Sequence, residues 1–163
     1  MAGKKERDVK TNAMRLLDAL HVPYRHYAYE CTEFVDARHT AAALGLPPER
    51  MYKTLVTEGA PRQYYVFVIP IDSELSLKKA ARAAGVKSVS MLPQKQLLPL
   101  TGYVHGGCSP VGMSKSFPTY FAEEVILVDT MICSAGKVGY QVEVAPDDLI
   151  ALVGGQVADL TQQ

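Results

Sequence analysis

The segment Tyr64 to Ile69 is an almost wholly apolar run of strand-forming residues, and it constrains the fold more than any other stretch. It follows Tyr52 to Thr57, a second strand-like run, across the turn-forming Glu58-Gly59-Ala60-Pro61. The pair reads as a hairpin with one buried member. Around it the chain alternates short helices and short strands. Thr11 caps a helix showing Met14, Leu17 and Leu20 on one side, and Tyr24 to Tyr29 alternates as a strand. Asp36 caps a helix over Arg38 to Leu44, which Gly45 stops; Ser76 caps Leu77 to Ala84, which Gly85 closes. Val86 to Met91, Tyr103 to His105, Thr119 to Phe121, Ile126 to Cys133 and Tyr140 to Val144 are strand-like. Pro93 opens a short helix and Pro146 a final one over Asp147 to Val153.

Strands and helices mix without regular βαβ alternation, so the expected class is α+β, a mixed, barrel-like β-sheet with flanking short helices. The 163 residues fit a single domain, with residues 1–10 as a flexible polar tail, and 48% hydrophobic residues suffice for a core. Lysines and arginines number 17, as do aspartates and glutamates, which argues against a protein that coats nucleic acid by charge alone. A local basic site for a few phosphates stays open. The polar start has no apolar signal segment behind it, and no apolar run approaches membrane-spanning length. Three widely spaced cysteines, Cys31, Cys108 and Cys133, favour a reducing compartment over a disulfide framework. The expectation is a cytoplasmic protein without a membrane partner.

Two loops carry the chemistry. Gly106-Gly107-Cys108-Ser109-Pro110-Val111-Gly112 follows a strand-like segment; its glycines let backbone approach a ligand closely, and consecutive N–H groups in such a turn can cradle a carbonyl oxygen or a phosphate. An ordinary Gly/Pro turn is the plainer alternative. Ser134-Ala135-Gly136-Lys137-Val138-Gly139 resembles a phosphate-binding P-loop only superficially, because Met131 and Val138 stand where a glycine and a Ser or Thr are required. A hairpin turn presenting Ser134 to a pocket fits better. Lys53, at the head of an apolar strand, either snorkels at its edge or meets an anionic group in a cleft. His105 and Cys108 lack a second pair of ligands at zinc spacing, so no metal and no cofactor are expected; as a base–nucleophile pair they need not face each other. Tyr24, Tyr27 and Tyr29 suit either base stacking or strand packing.

Taken together, the segments Thr11-Asn12-Ala13-Met14, Tyr52-Lys53-Thr54-Leu55, Leu75 to Ala81, Thr101 to Gly112 and Ser134 to Gly139 resemble the YbaK/EbsC family of free-standing aminoacyl-tRNA deacylases, its YbaK branch in particular. Their order and spacing agree over nearly the whole chain. The resemblance implies a barrel-like mixed sheet and trans-editing release of cysteine from Cys-tRNA(Pro), with tRNA and prolyl-tRNA synthetase as partners. It places the functional residues on Lys53, Gly107 and Ser109, with Gly106, Cys108, Pro110, Ser134 and Gly136 around the substrate and Tyr29 as the pocket aromatic; Phe34 competes for that last place. Cys108 stands where the family usually has an aliphatic residue, and Val138 where arginine is common.

An aminoacyl ester is already activated, and in YbaK-type enzymes the substrate's own thiol attacks it, so no Ser-His-Asp arrangement is needed. The rivals are a water-using deacylase for another small amino acid, such as Ala-tRNA(Pro), and a non-catalytic tRNA-binding module.

Overall fold

Local caps set the helices. The computed structural model describes residues 10–29 and 36–162; the expected tail lies outside them except for Lys10, whose ammonium pairs with Asp18, and Cys31 and Phe34 lie outside them too. Helix α1 (Asn12–Ala19) begins where Thr11 Oγ1 accepts the Met14 N–H at 3.2 Å. Helix α2 (Ala37–Leu44) begins at Asp36, which accepts the His39 N–H at 2.8 Å, and ends at Gly45 in the left-handed region, φ +66°. Helix α3 (Leu77–Ala84) uses Ser76 and Gly85 in the same two roles. Each cap satisfies amides or carbonyls that the helix itself leaves open.

The strands are β1 (Tyr24–Ala28), β2 (Tyr52–Glu58), β3 (Tyr64–Pro70), β4 (Ser90–Met91), β5 (Thr119–Ala122), β6 (Met131–Ser134), β7 (Tyr140–Val144) and β8 (Gln156–Ala158), with helix α4 (Leu97–Thr101) between β4 and β5 and α5 (Pro146–Val153) between β7 and β8. They form a five-stranded sheet in the order β4-β2-β3-β5-β8 and a three-stranded sheet in the order β1-β7-β6. The hairpin β2–β3 is antiparallel, with Lys53 opposite Ile69 and Leu55 opposite Phe67; β3–β5 and β5–β8 are parallel. The class is the expected mixed α+β. The two sheets meet at a parallel bridge between Met51 and Ile132, and among the described residues the pairing does not run on into a closed barrel.

The apolar β3 lies under cover on both faces. Val68 packs with Phe121, Met14, Leu17 and Leu149, while Phe67 and Ile69 pack with Ala80, Ala81 and Leu160. Full burial of each such large side chain stabilises by about 1.5–3 kcal/mol.

Some expected elements differ. Ile126 and Leu127 are 73% and 81% exposed in a 3-10 turn (Glu123–Leu127), so the strand starts only at Met131. Tyr103 to His105 forms no strand, because Gly102 (φ +85°) and Gly106 (φ +86°) bend the chain on either side. Val86 closes α3 by donating its N–H to Ala81 O, which confines β4 to Ser90–Met91. Leu20 caps α1 and is 55% exposed rather than sharing the buried face. Strand β8 carries no sequence signal that distinguishes it from a loop.

Candidate active site

The glycine loop is held in shape from within. After α4 the Tyr103 N–H donates to Thr101 Oγ1 at 3.1 Å, and the Gly107 N–H closes a turn onto Val104 O at 2.9 Å. Ser109, fully buried, accepts the Val111 N–H on its Oγ at 3.1 Å. The Tyr103 hydroxyl donates to Val111 O. In the β6–β7 loop, Ser134 Oγ accepts the Gly136 N–H at 3.1 Å, and Gly136 sits at φ +96°.

The two loops touch through missing side chains. A Cβ on Gly107 would stand 3.0 Å from Val138 N and 3.2 Å from Lys137 C; one on Gly136 would stand 2.8 Å from the Tyr103 ring, and one on Gly112 2.9 Å from its hydroxyl. Tyr103, 7% exposed, is the pin on which both loops rest. The expected strand role concealed it.

Beside these loops lies a cavity of about 390 Å³ lined by Lys53, Gly106, Cys108 and Ser134, together with Arg38, Thr40, Tyr52, Thr54, His105 and Gln141. Of the residues anticipated from sequence, Lys53, Gly106, Cys108 and Ser134 therefore share one cavity. Gly107, Ser109, Pro110 and Gly136 are not among its lining residues. Tyr29 is outside the lining, and its hydroxyl lies 3.2 Å from the Oγ1 of Thr40, which does line it.

Gln141 and Thr54 are among the lining residues that escaped the sequence reading. Gln141 is 8% exposed, and Thr54 has its Oγ1 buried without a partner among the described residues. A buried hydroxyl without a partner carries a desolvation cost, so packing alone does not account for a threonine at position 54. The only available signal was a polar residue inside an apolar strand, which also describes an ordinary solvent-facing position.

The electrostatics separate candidates by role. Burial pushes the Cys108 thiol up to about 12, with a bond to Thr101 opposing it only partly. Such a thiol is almost wholly protonated at neutral pH, which removes Cys108 as a nucleophile. Burial, reinforced by the Glu124 charge, pushes the Tyr52 phenol up to about 12 as well, so it lines the cavity as a neutral group. Lys53 forms no ion pair within 4.0 Å among the described residues. Among the described residues no cluster of three His, Cys, Asp or Glu could hold a metal ion, and no helix is long and apolar enough to cross a membrane.

A partly open cavity, more apolar than polar in its lining, with Lys53 on one wall and Gly106 and Cys108 of the glycine loop on another, is suited to a small acyl group. The same fold occurs in a structure described as a trans-editing enzyme for prolyl-tRNA synthetase, 26% identical, with a TM-score of 0.80 over 96% of this chain and 100% of that one. It occurs again in a hypothetical protein 23% identical, with a TM-score of 0.82 over 91% and 97% of the two chains. A protein of Enterococcus faecalis described as a Cys-tRNA(Pro)/Cys-tRNA(Cys) deacylase, EbsC, is 47% identical over 159 residues, 97% of each chain. Residues 32–152 match the aminoacyl-tRNA editing domain, and the chain belongs to that family. It is an aminoacyl-tRNA deacylase.

Proposed function

We propose that this deacylase releases misattached cysteine from Cys-tRNA(Pro) in trans, with the cavity between the glycine loop and β2 holding the aminoacyl end. The observation carrying the proposal is that Lys53, Gly106, Cys108 and Ser134, which lie on three separate segments of the chain, line one cavity. The similarity to the E. faecalis protein supports cysteine as the amino acid.

In the mechanism the substrate thiol attacks its own ester carbonyl. A C–S bond forms, the C–O bond to the ribose breaks, and the thiol proton passes to the departing ribose oxygen. Pre-positioning makes such an intramolecular step efficient, since effective molarities reach about 10⁵–10⁸ M. The amides of Gly106 and Cys108, neither of which has a backbone acceptor among the described residues, face the developing oxyanion. The Gly107 N–H is occupied by Val104, so Gly107 and Ser109 act by shaping the loop. Lys53 holds the 3′-terminal phosphate or ribose, Ser134 and Gln141 position the aminoacyl group, and Tyr29 orients Thr40 from behind. Pro110 and Gly136 fix the two turns.

The single domain works in the cytoplasm, and its zero formal net charge supports a weak intrinsic grip on RNA. Prolyl-tRNA synthetase then supplies the tRNA selection. The test is turnover of Cys-tRNA(Pro), Cys-tRNA(Cys) and Ala-tRNA(Pro) by the purified chain and by Lys53→Ala. Loss of one transition-state contact predicts about a 10²–10³-fold lower rate for the variant. A variant as fast as the wild type refutes the role of Lys53. Equal rates on cysteinyl and alanyl substrates refute thiol assistance and favour attack by water.

A further inference from the structure

Arg38 stands in the first turn of α2, a place where the helix dipole disfavours a cation, and that turn holds no acidic residue. Helix stability therefore does not explain it. Its guanidinium grips Asp72 at two points, Nε to Oδ1 at 2.8 Å and Nη2 to Oδ2 at 2.6 Å. The side chains are 64% and 49% exposed, and pairs so open to water contribute little to folding. Arg38 lines the same cavity as Lys53, and the Lys53 charge also acts on the Asp72 carboxylate. The neighbouring Asp36 is engaged in capping α2. Asp72 thus feels both cations, and Arg38 in turn feels the more weakly acting charge of Glu49 as well as that of Asp72.

The cavity, about 390 Å³, has room for an amino acid and part of its nucleoside but not for a polynucleotide. Phosphates of a longer substrate stay at the rim. A guanidinium fork matches a phosphate oxygen pair as well as it matches a carboxylate, and Asp72 occupies that fork in the free protein.

We infer that Arg38 and Lys53 together bind a phosphodiester of the RNA acceptor end, and that Asp72 is its internal stand-in, displaced when RNA arrives. This assignment rests on the aminoacyl-tRNA reading above. It makes Asp72 a competitor: removing it strengthens RNA binding, whereas removing Arg38 weakens it. A purely structural brace between α2 and the end of β3 predicts instead that both losses act in the same direction.

The experiment measures binding of a 5′-fluorescent single-stranded RNA ending in CCA, by anisotropy across a salt series, to the full chain and to Arg38→Ala, Arg38→Lys and Asp72→Asn. Arg38→Ala is expected to bind about tenfold more weakly, with a log–log salt slope shallower by about 0.7. Arg38→Lys falls between, because it keeps the charge and loses the fork. Asp72→Asn is expected to bind about threefold more tightly. Unchanged affinity in Arg38→Ala, weakening in both Arg38→Ala and Asp72→Asn, or no binding by the wild type overturns the inference. Turnover of charged tRNA is read separately: its absence alongside the predicted binding pattern sinks the cysteine-releasing function and leaves the phosphate clamp standing.

Discussion

Replacing Tyr103 by Phe removes one oxygen and tests how the two glycine-containing loops are held. The ring is 7% exposed and its hydroxyl donates to Val111 O. Phe keeps the ring against Gly136 but leaves a buried carbonyl without its donor, which costs about 1–3 kcal/mol. For a chain of this size each kcal/mol lowers Tm by about 2–4 °C, so the expected drop is about 2–12 °C. Because Val111 lies in the loop that begins at Gly106, the loss also loosens the amides proposed to face the ester, and kcat should fall more than KM rises. Differential scanning calorimetry gives the first quantity and single-turnover deacylation the second. A Tyr103→Phe protein that melts within about 1 °C of wild type and reacts at the same rate refutes the pinning argument.

Cys108→Ala should retain deacylation within about tenfold of wild type, since a thiol held near 12 is not the attacking group; a loss of about a thousandfold in single-turnover assays contradicts this. Stability should fall at alkaline pH. Burial raises Cys108 and Cys133 from 9.0, and Tyr52 and Tyr103 from 10.0, each to about 12. The unfolded chain releases these protons first, so their contribution is complete below about pH 9 and is lost as pH rises towards about 12. Urea midpoints that stay constant between about pH 8 and about pH 11 contradict it.

What could be read from the sequence was local. Thr11, Asp36 and Ser76 cap helices by bonds to amides three residues on, and Gly45 and Gly85 end them by left-handed backbone. The β2–β3 hairpin declared itself through its turn and its apolar second strand. What escaped depends on distant partners. Strand β8 exists because β5 lies beside it, and the apolar Ile126 and Leu127 point to solvent because nothing covers them. The site divides the same way. Lys53 and the glycine loop stand out by residue type, whereas Gln141 and Thr54 matter only because the sheets bring them to a shared wall. Tyr103 resembled any strand aromatic until Gly112 and Gly136 came to rest on it.

Gly107 meets its neighbour loop through the main-chain atoms of Lys137 and Val138, not through their side chains. Position 138 can therefore change identity without moving the junction, so valine there, where the family resemblance leads one to expect arginine, leaves the contact in place. A side chain at 107 would press on that main chain, with its Cβ 3.0 Å from Val138 N, so the seam must shift by a few tenths of an ångström to admit one. The identity of residue 138 and the packing of the junction are therefore separable, since the close approach is made by main chain alone.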